Sequence, residues 1–185
     1  MKLWLISFCC LSLGAHALEF NEVKTAQSSV AFGYKQMGVP LSGSFAKFAI
    51  TANFDPAKPQ TAAAKIDIAL ASIDTGNEDA NDEVKDKVWF NTAQFPSAQF
   101  VASSIKALGG NRFEARGKLT IKGKALDVVA PFTFQQVGLL GIFDGAVTIN
   151  RLDYAIGTGL WADVSTVANE VSIKFHFVAS RRAAP

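Results

Sequence analysis

Residues 112–119 read RFEARGKL, and residues 170–177 read EVSIKFHF. In the first, Phe113, Ala115, Gly117 and Leu119 alternate with Arg112, Glu114, Arg116 and Lys118. In the second, Val171, Ile173, Phe175 and Phe177 alternate with Glu170, Ser172, Lys174 and His176. Successive side chains of a strand point to opposite faces, so a period of two marks a strand with one apolar and one wet face. The same parity runs through Val30, Phe32 and Tyr34 of SSVAFGYK and through Ile66, Ile68 and Leu70 of AAAKIDIAL, where Lys65 and Asp67 fall between. Further runs at 41–54, 97–106, 126–135 and 141–150 bring the number of strands to about eight.

Turn residues separate these runs: Asp55-Pro56, Gly109-Gly110-Asn111, Lys122-Gly123-Lys124, Gly138 and Gly157-Thr158-Gly159. Such spacing predicts an all-β antiparallel meander. Eight strands with inward aromatic and β-branched residues close into a barrel that leaves no edge and holds one small or elongated ligand. A two-sheet sandwich is the competing arrangement, and the period alone does not decide between them. Taking one parity from each strand predicts an interior of Val30, Phe32, Tyr34, Phe48, Ile50, Phe54, Ile66, Ile68, Leu70, Leu119, Val128, Phe132, Phe143, Val147, Val171, Ile173 and Phe175.

One segment breaks the pattern. In DTGNEDANDEVKDKVWF, residues 74–90, Thr75 or Asn77 can cap a helix whose first turn carries Glu78 and Asp79 and whose last carries Lys85 and Lys87. The expectation is one short helical insertion over 77–88. It runs into KVWFNTAQFPSAQF, residues 87–100, where Trp89, Phe90 and Phe95 crowd a junction that ends at Pro96. These rings either fill a core under the helix or wall a ligand pocket. Trp89 and Phe90 are the candidates for ligand contact, and Phe100 is expected to be core.

At the N-terminus, Lys2 precedes the apolar run LWLISFCCLSL and the small-residue site Ala15-His16-Ala17. This reads as a secretory signal peptide cleaved after residue 17, since the apolar run is about half the roughly 20 residues of a membrane span. Residues 18–185 then form a single exported domain with no transmembrane anchor. Cys9 and Cys10 leave with the leader, so the domain has neither disulfide nor cysteine metal site.

The domain keeps 17 basic and 16 acidic side chains once Lys2 is removed. With no basic stripe, the counterion release that powers nucleic-acid binding is missing, and nucleic acid is not an expected partner. Of the two histidines, His16 lies in the leader and His176 falls on the polar face of the last strand. No zinc site of the common kinds and no serine triad is expected from that inventory. The acidic run between Asp74 and Asp86 lacks the ligand order and central glycine of a calcium loop and reads as a solvated helix face. No catalytic residue, cofactor or metal is therefore expected. An enzyme using carboxylates or Tyr34 at the barrel mouth is the alternative reading.

The ordered set GSFAKFAITANFDPAKP, SIDTGNEDANDEVKDKVWFNTAQFPSAQF, GKLTIKG, NRLDYAIG and VANEVSIKFHF resembles the YceI-like family over about residues 19–178. The resemblance implies an eight-stranded lipocalin-like barrel, exported to the bacterial periplasm, that carries a polyisoprenoid or similar long-chain amphiphile in an apolar cavity. Where the family's helix commonly has Arg-Asp followed by His-Leu, this chain has Ala80, Asn81, Glu83 and Val84. Where the family often has Leu-Thr-Leu-His-Gly, it has Leu119-Thr120-Ile121-Lys122-Gly123. Oligomeric state is left open, a homodimer included.

Overall fold

The computed structural model describes residues 19–181, so the expected leader lies outside the described residues. Eleven antiparallel strands and one short α-helix follow one another: β1 (Phe20–Val23), β2 (Ser29–Gln36), β3 (Val39–Phe45), β4 (Phe48–Asn53), β5 (Ala63–Ala69), β6 (Ile73–Asp74), α1 (Glu78–Glu83), β7 (Ser97–Gly109), β8 (Arg112–Ile121), β9 (Lys124–Val137), β10 (Leu140–Asn150) and β11 (Glu170–Arg181). The sheet runs β4-β5-β7-β8-β9-β10-β11-β2-β3-β6 and curls into a half-barrel, with β1 paired to β11. Phe20 and Phe54 exchange backbone hydrogen bonds of 2.9 and 3.2 Å, tying the β1 side of the sheet to the end of β4.

The count exceeds eight for two reasons. The run 41–54 is not one strand: Ala46 and Lys47 break it, held by Ser72, whose carbonyl accepts from the Ala46 N–H at 3.0 Å and whose Oγ accepts from the Lys47 N–H at 3.0 Å. The short strands β1 and β6 add two more. At the break, β3 pairs with β6 only through Ser44–Asp74 and Phe45–Ile73. Residues 39–43 therefore have β2 as their one ladder partner among the described residues.

Curvature is produced by phenylalanine rings lying over glycines. Phe32 stands opposite Gly43, and Phe175 opposite Gly145. A Cβ at Gly43 would collide with the Phe32 ring, and one at Gly145 would collide with Phe175 Cζ and stand 2.6 Å from the Pro131 carbonyl oxygen. A bare backbone beneath a large ring lets neighbouring strands bend sharply while the ring covers the gap. At the end nearest β1, Phe54 gathers Phe113, Phe132, Phe134 and Phe143 at centroid distances of 5.0 to 6.0 Å, in edge-on and tilted arrangements. Together with Phe20 they form a solid aromatic floor.

The opposite end is covered by irregular chain. Asn77 caps α1 by accepting from the Ala80 N–H at 2.9 Å. The helix then stops at Glu83 rather than 88, and tight turns carry the chain to residue 94, with Asn91 at φ 51°. This segment meets a second one, residues 151–168, around the side chain of Arg151. Arg151 is 2% exposed and all five of its N–H groups end on carbonyl oxygens. Nε donates to Ala168 at 3.1 Å, Nη1 to Ile156 at 2.8 Å and Gly157 at 2.9 Å, and Nη2 to Trp161 at 2.6 Å and Val167 at 2.7 Å. The guanidinium lies 5.6 Å from the Trp89 ring centroid. Gly157 is obligatory here: its φ is 70°, and a Cβ would collide with Arg151 Nη1. Val88 completes the seam, its carbonyl accepting from the Gly157 and Thr158 N–H groups at 2.9 Å each.

Two stability outcomes are expected. Gly145→Ala should cost about 1–3 kcal/mol by urea unfolding, because the added methyl group displaces a packed ring and meets backbone, whereas Ala146→Val on the outer face should be close to neutral. Arg151→Lys should lose several kcal/mol although the charge is kept, since a point ammonium with three donors leaves buried carbonyls unpartnered at about 1–3 kcal/mol each. Tryptophan emission should report loosening of the cap before the sheet unfolds.

Candidate functional site

Two chambers lie inside the half-barrel. The lower, about 130 Å³, rests on the phenylalanine floor and is lined wholly by Ala, Val, Ile, Leu and Phe. The upper, about 440 Å³, lies beneath the cap. Ile68 of β5, Leu119 of β8 and Ile173 of β11 line both, forming an aliphatic waist between them. Many inward aliphatic side chains, among them Ile66, Val128, Val147 and Ile173, are only half-buried because they face this space rather than a packed core.

The residues expected at the interior are placed as follows. Val30, Ile50, Phe54, Ile66, Val128, Phe132, Phe143, Val147 and Phe175 line the lower chamber. Phe32, Tyr34, Leu70, Trp89, Phe90 and Val171 line the upper one, and Ile68, Leu119 and Ile173 line both. Phe48 is the exception. It starts β4 immediately after the break, sets its ring 6.5 Å from that of Phe177 and lines neither chamber. Phe100, expected as core, lines the lower chamber. Trp89 is 8% exposed and belongs to a core cluster as well as to the wall, so its ring has a structural role beneath Arg151.

The cap contributes wall residues that strand parity does not reveal: Ile156, Trp161 and Val167 from the 151–168 segment, and Thr75, Asp79, Ala80, Glu83 and Val84 from around α1. Polar groups are gathered at this end alone. Glu83 Oε1 accepts from both indoles, Trp89 Nε1 at 3.3 Å and Trp161 Nε1 at 3.0 Å, whose rings stand 5.3 Å apart. Lys122, at φ 51° in the β8–β9 turn, donates to the carbonyls of Lys87 at 2.9 Å and Ala155 at 2.8 Å, and desolvation depresses its pKa, with Lys124 adding to the effect. Burial likewise pushes the Tyr34 phenol up and the Arg151 guanidinium down from their ordinary values. His176 pairs with Asp144 at 2.7 Å on the outer face, away from both chambers. Among the described residues no group of three or more His, Cys, Asp and Glu side chains is arranged to hold a metal. None of their helices is long and apolar enough to cross a membrane.

The geometry is that of a container: an apolar lower compartment and a roomier upper one with polar groups at its far end. The same architecture recurs in known proteins. BcnA of Burkholderia cenocepacia superposes with a TM-score of 0.84 at 46% identity, covering 86% of this chain and 100% of that one. A polyisoprenoid binding domain from Saccharophagus degradans superposes with a TM-score of 0.66 at 14% identity, covering 90% and 99%, a likeness of fold alone. Among curated sequences, a UPF0312 protein of Pseudomonas savastanoi pv. phaseolicola is 25% identical over 166 residues, 81% of this chain and 86% of its own length. The YceI-like domain model matches residues 22–179, from the first strand to the last, and the chain belongs to the YceI-like family.

Proposed function

We propose that this protein is an exported carrier that sequesters a long-chain amphiphile of the polyisoprenoid type, with its apolar tail through the waist into the lower chamber and its polar head under the cap. The observation that carries this reading is the asymmetry of the interior: the lower lining has no polar side chain, whereas Tyr34, Gln36, Thr75, Asp79, Glu83 and Arg151 all lie along the upper one. Each methylene taken from water into such a lining gains roughly 0.8 kcal/mol, so a long chain offsets the cost of association without any charged contact. The Saccharophagus neighbour, a polyisoprenoid binding domain on the same fold, supports the ligand class. Export rests on the leader-like N-terminal sequence.

The enzyme reading gains no support from Tyr34. Burial raises its pKa, which takes the phenol further from acting as a base near neutral pH.

Organic extraction of the purified protein, with mass spectrometry of the extract, should return a stoichiometric long-chain lipid. Protein that yields none and takes up no prenyl probe after delipidation would overturn the reading. Phe90→Ala should weaken probe retention with a small loss of stability, because Phe90 is a half-buried wall residue. Trp89→Ala should instead lower stability by about 3–5 kcal/mol, because it removes a buried ring that supports Arg151. Parallel denaturation and retention assays on the two variants check that contrast.

A further inference from the structure

Two turns at the cap end carry apolar side chains that the fold itself does not ask for. The first is the tip of the β2–β3 hairpin, Met37-Gly38, with φ of 48° and 79°. Two successive positive φ values mark the mirror-image two-residue turn in which Asn-Gly is the favoured pair, because asparagine enters the left-handed region more readily than other side chains. Methionine stands there instead, 72% exposed, so neither turn chemistry nor packing accounts for it. The second turn is the segment 159–164, where Leu160 is 95% exposed and Val164 is exposed as well. The two turns are joined, since the Met37 N–H donates to the Thr166 carbonyl and the Ala168 N–H to the Lys35 carbonyl, at 2.9 Å each.

Both continue the wall of the upper chamber. Residues directly opposite on a ladder share a face, so Val39 and Leu41, paired with the chamber-lining Gln36 and Tyr34, carry that wall past its lining, and both are exposed. Leu160 immediately precedes Trp161, and Val164 lies three residues before Val167; Trp161 and Val167 line the same chamber. Single exposed apolar side chains are ordinary, whereas several gathered at the lip of an apolar cavity mark a contact surface. Val137 and Leu139 are also exposed at the β9–β10 turn, but behind them the phenylalanine floor closes the barrel.

Resting on the carrier reading above, we propose that this rim docks on a lipid bilayer, with Met37 and Leu160 entering the acyl boundary, so that a prenyl chain passes between membrane and upper chamber without crossing water. A bilayer is the occupant these features fit. The side chains stand on two exposed turns rather than around a groove, so they offer a folded partner no shaped pocket, whereas fluid acyl chains accept any contour. A flexible methionine suits such a surface. Lys35 and Asp163, both exposed, flank the rim with opposite signs, so docking draws on apolar area and not on anionic head groups.

Flotation of the protein with phosphatidylcholine vesicles tests the proposal. Wild type should co-float, and equally well when phosphatidylglycerol is mixed into the vesicles. Met37→Asn suits the turn and Leu160→Gln removes no packing; together they should lower the vesicle partition coefficient at least about tenfold while the unfolding midpoint holds. Leu139→Gln, at the floor end, should change nothing. Uptake of geranylgeraniol from detergent micelles, followed by the emission of Trp89 and Trp161, should be the same in wild type and the double variant, whereas uptake from vesicles should slow at least about tenfold in the variant. Wild type that stays off vesicles, a double variant that binds and loads from them like wild type, or an equal loss in Leu139→Gln overturns the docking surface while leaving the carrier standing. So does a wild-type dimer that Met37→Asn dissociates without any effect on vesicle binding, which would make the rim a contact between copies. Failure of wild type to take up the probe from micelles overturns the carrier reading and this proposal with it.

Discussion

A guanidinium buried without a carboxylate organises the upper half of this molecule. Taking a charge out of water is costly, and Arg151 has no ion-pair partner among the described residues to offset that cost. What stabilises it is geometry: five N–H groups meet five carbonyl dipoles from a stretch of chain that forms no sheet, while an indole face covers the cation. The benefit is mutual. A segment such as 155–168 leaves buried carbonyls that no ladder satisfies, and one planar fork satisfies five of them. Trp89 is held between that cation and Glu83, which also reaches Trp161, so the roof is one connected polar structure laid over an apolar interior.

The lower half rests on the opposite principle. Its walls have no polar atom to satisfy, and its shape comes from volume alone. Large rings stand over missing side chains where the sheet must bend, and phenylalanines pack solidly where it must end. Between floor and roof the inward side chains are of medium size, and they leave the centre open. The contrast explains why the aliphatic wall is half-buried while the floor is nearly dry: Phe20 is 0% and Phe54 3% exposed.

Strand parity made most of this wall legible, because a period of two is a direct consequence of backbone geometry. RFEARGKL and EVSIKFHF each point their apolar residues at the cavity. Phe48 keeps the parity of Ile50 and pairs with the inward Ile68, but it starts β4 directly after the two-residue break and its ring packs on Phe177 rather than lining a chamber. β1 is four residues long and too short to carry a periodic signal, and the closure through Phe20 depends on a partner more than thirty residues away, Phe54. Helix length was misjudged because Lys85 and Lys87 read as a basic last turn, whereas the chain turns after Glu83 to bring Trp89 under Arg151. Arg151 itself was illegible: a basic residue in NRLDYAIG resembles any surface arginine until the loops that supply its acceptors are in place.

The unpaired margin of β3 at residues 39–43 has a consequence for solution behaviour. A bare strand margin invites another chain to zip onto it. Pro40 sits in the middle of that margin, opposite Lys35, and has no N–H to lend an intruding strand. The margin can thus stay unpaired without becoming a seam along which copies stitch together.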